Sequence, residues 1–125
     1  MAETFPDLTF HLMQATVTDH RCDVAVLHLR GELDADTAEK LRSTLTVLLE
    51  RPVPRIVVDL TDLKFCDSVG LSSFITCKQV ITARGGWLSF AGANPFLNRL
   101  METVGLSRYF AIFPEVDDAI AAAQL

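Results

Sequence analysis

The residues best placed to do chemistry lie in one stretch, Arg55 to Leu71. Ile56 to Leu60 is an aliphatic run that reads as a buried strand, and after Asp62 a second short apolar piece, Leu63 to Cys66, leads into Asp67, Ser68, Val69 and Gly70. Beyond this point the period changes: Leu71, Phe74, Ile75 and Ile81 recur at helical spacing. Ser68 therefore stands where a strand gives way to a helix. Its hydroxyl is the expected N-cap, with the helix amides pointing at it. The free N–H groups and the helix dipole also favour an anion added there. The plainer alternative is that Ser68 does nothing but cap the helix.

Three enzymatic readings of this stretch are weighed against it. A serine hydrolase wants Gly-x-Ser-x-Gly, and the frame here is Cys66-Asp67-Ser68-Val69-Gly70. The base is also missing, because His11, His20 and His28 all lie in the opening segment, far upstream of Ser68. A cysteine phosphatase would need an arginine six positions after its cysteine, where Cys66 is followed by Ser72; Cys66 reads as a small buried residue. A phospho-acceptor aspartate would need an acidic cluster to hold Mg²⁺. Asp59, Asp62 and Asp67 are close in sequence, but the first strand adds no acidic pair, so Asp59 and Asp62 read as strand-end and turn residues. The glycines are too dispersed for a P-loop or dinucleotide fingerprint. No metal or cofactor is expected.

The elements that must position Ser68 follow from periodicity. Residues 1–7 read as a loose lead-in. Leu8 to Val17 alternates roughly, with Leu8, Phe10 and Leu12 on one side, and Thr18 to Arg21 is a polar turn. From Asp23 to Leu29 the alternation is clean, Val24, Val26 and His28 facing one way and Ala25, Leu27 and Leu29 the other, which completes a hairpin. A first helix is expected over Asp36 to Glu50, burying Ala38, Leu41, Leu45 and Leu48, with Asp36 and Glu39 as a capping box and Pro52 and Pro54 beyond its end. After the Ser68 junction a second helix runs to about Ala83 and stops at Gly85-Gly86. Trp87 to Ala91 is a short strand. Asn94-Pro95 starts a helix burying Leu97, Leu100, Met101 and Val104, which Gly105 ends. Tyr109 to Phe113 is a last strand, and Pro114 opens a final helix with Val116, Ala119, Ile120 and Ala123 apolar. The order β-β-α-β-α-β-α-β-α implies an α/β fold with a mostly parallel sheet and right-handed crossovers.

On the second helix Val69, Ser72, Thr76, Gln79 and Ala83 form an uncharged stripe opposite Gly70, Phe74, Cys77 and Ile81. An uncharged strip beside Ser68 suggests a docking surface, with an ordinary polar outer face as the alternative. Lys78 falls between Leu71 and Phe74 and spoils the inner face. The whole chain, 125 residues with half of them hydrophobic, is one globular domain. A net charge of −5 argues against a nucleic-acid partner. No apolar run approaches a membrane span, and the acidic start lacks a signal peptide's pattern. Cys22, Cys66 and Cys77, an odd number without metal spacing, read as free thiols in a reducing compartment, the cytoplasm.

Taken together, the residues resemble a known family, the STAS domains of the anti-sigma factor antagonist type. The resemblance spans roughly residues 8–123 and rests on pieces in the right order. They are Gly31-Glu32-Leu33-Asp34; Val57-Val58-Asp59-Leu60; Phe65 through Leu71; Gly85-Gly86 before an apolar strand; and Thr103-Val104-Gly105-Leu106 followed by Tyr109-Phe110. It implies a STAS fold over residues 8–125 and a non-enzymatic role in sigma-factor regulation. The unmodified domain would capture an anti-sigma factor that is also a serine kinase, releasing the sigma factor. Phosphorylation of Ser68 would break the complex, and a phosphatase would reset it. By the same resemblance Asp34 and Asp67 lie near the acceptor and partner surface; with them Val69, Ser72 and Thr76, taken from the uncharged stripe, are candidate contacts. Two departures bear on which kinase fits: Val69 replaces a small polar residue common after the acceptor, and Ser72-Ser73 stands where glycine or an aliphatic residue is frequent. A STAS scaffold that is never phosphorylated is the alternative within the fold, and a small hydrolase using Ser68 the alternative outside it.

Overall fold

The structure, a computed structural model, describes residues 13–19 and 23–123. The expected lead-in, the first residues of the expected opening strand, and His11, His20 and Cys22 lie outside them. Five strands form one sheet in the order β1-β2-β3-β4-β5: β1 (Met13–Asp19), β2 (Ala25–Leu33), β3 (Arg55–Cys66), β4 (Trp87–Ala91) and β5 (Ala111–Phe113). β1 runs antiparallel to β2, and every other pairing is parallel. The helices are α1 (Ala38–Leu48), α2 (Ser68–Ala83), α3 (Pro95–Thr103) and α4 (Val116–Ala123), with a 3₁₀ turn at Leu106–Arg108. The predicted order of elements is the observed one.

The clean alternation of β2 has a physical counterpart on both faces. Ala25, Leu27, Leu29 and Leu33 enter the main core, where they meet Leu41, Leu45 and Leu48 of α1, Phe74 and Ile81 of α2, and Leu97 and Met101 of α3. Val24 and Val26 turn the other way and, with Val57 and Ala91, bury Ala119 and Ile120 of α4. Three helices thus cover one face and a single short helix the other. Phe90 of β4 is fully buried at the centre of the larger core, edge-on to Phe74 at 4.9 Å and to Phe110 at 4.8 Å.

Several local expectations are corrected. β3 is one continuous strand of 12 residues, so the break expected at Asp62 does not occur. Thr18 and Asp19 belong to β1 rather than to a turn, because they pair with Val26 and Ala25. α1 starts later than predicted and has no capping box. The Asp34 carboxylate instead accepts from the Asp36 and Thr37 amides at 3.0 and 3.1 Å, and the Thr37 hydroxyl donates to the Glu32 carbonyl. Val104 and Ile75 are exposed rather than buried. Residues Leu106 to Phe110 coil before β5 begins, which shortens that strand to three residues. Lys78, which spoiled the predicted inner face of α2, lies half-buried along the apolar surface and reaches the Tyr109 carbonyl and the faces of the Tyr109 and Phe110 rings.

Two turns are read correctly because their residues act locally. Asn94 caps α3 by accepting from the Leu97 amide at 2.8 Å, with Pro95 in the first turn. Gly85, at φ +78°, ends α2, and the Gly86 amide closes back on the Ile81 carbonyl. Replacing Phe90 with alanine should cost about 3–5 kcal/mol of stability, read by denaturant unfolding, because the ring anchors α2 and the Phe110 coil on the sheet.

Candidate functional site

β3 outruns β4. The β3–β4 pairing stops at Asp59 and Ala91, whereas β2 and β3 continue together to Leu33 and Cys66. The far end of the sheet is therefore a two-stranded ribbon, and the chain leaves it at Asp34 on one strand and Asp67 on the other. The Asp67 amide donates to the Leu33 carbonyl at 3.1 Å, which ties the two exits together. The fold thus brings Asp34, Asp67 and Ser68 to one edge, as the sequence led us to expect.

Ser68 is not the N-cap. That position belongs to Asp67, which has extended backbone angles and accepts from the Gly70 amide at 2.9 Å. Asp and Ser are comparably good caps at adjacent positions, and the tie between Asp67 and Leu33 selects the aspartate. Ser68 becomes the first residue of α2, with its side chain exposed and its hydroxyl making no hydrogen bond to the described residues. A free hydroxyl on the first turn of a long helix is accessible to a transferring enzyme, and the helix dipole favours negative charge placed on it.

The first turn of α2 sits tightly on the ribbon. A Cβ at Gly70 would come within 2.6 Å of the Leu33 side chain and 3.1 Å of the Cys66 sulfur. Cys66 is buried, and burial, together with the Asp67 charge, pushes its thiol up to about 12. It is a packing residue, not a thiolate nucleophile.

Val69, Ser72 and Thr76 are exposed along the outer side of α2, as expected, together with Gln79 and Ala83. The Ser72 and Thr76 hydroxyls bond back to the Val69 and Ser72 carbonyls, so the strip presents methyl and methylene surface more than free polar groups. The sequence reading missed two neighbours. Phe65, on the ribbon, and Phe96, on α3, are both exposed and stack with ring centres 6.1 Å apart. Phe65 and Val69, each within three residues of Ser68 in the chain, are thus exposed apolar residues, and Phe96 is held against the first of them. No local pattern could reveal that pair, since the two rings come from different elements.

Asp59 and Asp62 are not strand-end and turn residues but members of β3. Asp59 faces His28 across the β2–β3 pairing, Nδ1 to Oδ2 at 2.7 Å, while His28 Nε2 contacts the Thr18 hydroxyl at 3.2 Å. Burial pushes the Asp59 carboxyl up. Hydrogen bonds from the Thr61 hydroxyl and amide and from His28 outweigh it, leaving the carboxyl below its usual range. This network is roughly 20 Å along the strand from Ser68, so His28 cannot act as its base. Among the described residues no group of acidic, histidine or cysteine side chains is arranged to hold a metal, and no helix is long and apolar enough to cross a membrane.

The family model for the STAS domain matches residues 15–119. An anti-sigma F factor antagonist of Paenibacillus polymyxa is 31% identical over 105 residues, covering 83% of this chain and 87% of that protein. An anti-sigma-B factor antagonist of Listeria monocytogenes is 36% identical over 90 residues, covering 72% of this chain and 75% of that one. The crystal structure of an anti-sigma factor antagonist from Mycobacterium paratuberculosis superposes with a TM-score of 0.82 at 27% identity, over 90% of this chain and 95% of that one.

Two outcomes test the geometry. Asp67→Ala should lose about 1 kcal/mol of stability in denaturant unfolding, the worth of an N-cap. Asp59, with its folded pKa below the ordinary 3.8, contributes stability that is complete above that value and lost as pH falls through the depressed one. The acid limb of a stability-against-pH curve should therefore be shallower in Asp59→Asn.

Proposed function

The chain belongs to the STAS domain family, and from that premise we propose that it is an anti-sigma factor antagonist whose binding is switched at Ser68. In this reading the unmodified protein captures an anti-sigma factor with serine-kinase activity, in the cytoplasm, and frees a sigma factor. Phosphorylation of Ser68 ends the capture, and a phosphatase restores it. The protein is a binding module and not an enzyme. The single observation that carries the reading is the exposed Ser68 hydroxyl, without a hydrogen-bond partner among the described residues, at the first turn of α2, on a surface shared with Asp34, Asp67 and an uncharged helix strip. The names of the relatives supply the class of partner.

The geometry gives the switch a mechanism. A phosphate adds about −1.5 to −2 charges. On the first turn of α2 it meets the positive end of the helix dipole, and its exposed position leaves the core untouched, so the fold tolerates it. At an interface the same charge must shed water next to the Asp67 and Asp34 carboxylates. The penalty falls on the complex, not on the domain. Asp34 and Asp67 contribute to partner contact while also holding the starts of α1 and α2, and Val69, Ser72 and Thr76 supply the apolar area, joined by Phe65 and Phe96.

Mass spectrometry of the protein purified from its own cells, with Ser68→Ala alongside, tests the assignment. The expected result is a mass gain of one phosphate, mapped to Ser68 and absent from the variant. An unmodified protein under every growth condition would point to the constitutive scaffold instead. Phe96→Ala should weaken capture of the anti-sigma factor by tenfold or more, about 1.4 kcal/mol or above, read by a binding titration.

A further inference from the structure

The face of the sheet opposite α2 holds a slot of about 350 Å³ between the β4–β5 edge and α4. Its floor includes Ser89 and Ala111, which pair across β4 and β5. Trp87 and Phe113 stand as aromatic walls, and Ala119 and Ala122 of α4 form the side facing the sheet. Ser89 is 5% exposed, and its hydroxyl has no hydrogen-bond partner. Strand alternation turns it toward α4, since Trp87 and Ala91, two residues to either side, belong to the cluster under that helix. A buried hydroxyl without a partner is costly and uncommon, and the serine that carries it lines a space large enough for a small ligand, which a rotation about its single χ1 bond would let the hydroxyl meet.

We infer that this slot is a binding site for a small, neutral, largely apolar molecule whose single hydroxyl or carbonyl oxygen pairs with Ser89. The lining decides the chemistry. None of the described side chains that line it is titratable, so a carboxylate or ammonium would enter without a counter-charge from them and be rejected by desolvation. The four alanines, Phe113 and the face of Trp87 offer contact area, and beyond Ser89 the lining side chains carry only the Trp87 indole N–H as a polar group, so a ligand with several polar groups would leave most of them unpaired. The site lies on the α4 side of the sheet, whereas Ser68 and α2 lie on the other. It therefore stands or falls independently of the Ser68 switch.

The probe is 1-octanol, titrated into the full chain and followed by amide NMR shifts and by the emission of Trp87, the sole tryptophan. Saturable shifts should concentrate at residues 87–89, 111–113 and 119–123, with a parallel change in emission. Ser89→Ala should bind about fivefold more weakly, the loss of one ordinary hydrogen bond, while the melting temperature of the unliganded protein stays the same or rises. Ala122→Leu, at an exposed position that lines the slot, should abolish binding without unfolding the chain. Non-saturable or scattered shifts, or equal affinity in Ser89→Ala, would overturn the proposal. So would a lower melting temperature in unliganded Ser89→Ala, which would mean that a structural water already pairs the hydroxyl.

Discussion

One backbone hydrogen bond, from the Asp67 amide to the Leu33 carbonyl, sets the position of everything at the candidate site. It joins the exits of two parallel strands that have already run past the rest of the sheet. With its amide committed there, Asp67 takes extended backbone angles and turns its carboxylate onto the Gly70 amide, which starts α2. Gly70 must lack a side chain, because α2 begins so close to Leu33 and Cys66. Ser68 falls between these constraints, its backbone fixed and its side chain directed to solvent. On the other strand the Asp34 carboxylate accepts from the Asp36 and Thr37 amides and so closes the turn that leads into α1. Each of the two acidic residues thus holds one helix and lends its charge to the same edge.

The switch proposed at Ser68 would separate recognition from folding. The main core, packed around Phe90 and the leucines of β2 and α1, lies beneath α2, and the exposed Ser68 is not part of it. In the proposed switch, charge added at that hydroxyl would change what the surface binds while leaving the packing as it was. The uncharged outer strip of α2 and the Phe65–Phe96 stack are the apolar area that a partner would bury, and the carboxylates next to Ser68 would make that area sensitive to one more negative charge.

Much of this was legible in the sequence because it is local. Alternation in β2, the apolar face of α1, the Asn94-Pro95 start and the Gly85-Gly86 stop each depend on a few neighbouring residues, and each was found where it was expected. The strand–helix junction at Ser68 was legible for the same reason. The features that escaped depend on contacts between distant segments. Two good capping residues stood side by side, and only the bond to Leu33 chose Asp67. Asp59 looked like a strand-end residue until β2 placed His28 opposite it. Ile75 and Val104 satisfied helical spacing, but their helices turn them outward. Phe65 and Phe96 are unremarkable in sequence and meet only because α3 packs beside the ribbon. The family resemblance named Ser68, but its exposure, and the lack of a hydrogen bond from it to the described residues, come from the structure.

The central claim is that phosphate on Ser68 acts on the interface and not on the fold. The most direct measurement compares the unmodified and the Ser68-phosphorylated protein in two ways at once: affinity for the same anti-sigma factor, and free energy of unfolding without it. The account predicts that affinity falls by a hundredfold or more, about 2.7 kcal/mol, while the free energy of unfolding holds or rises slightly. Equal affinity in the two forms would contradict it, as would a loss of affinity accompanied by a comparable loss of stability.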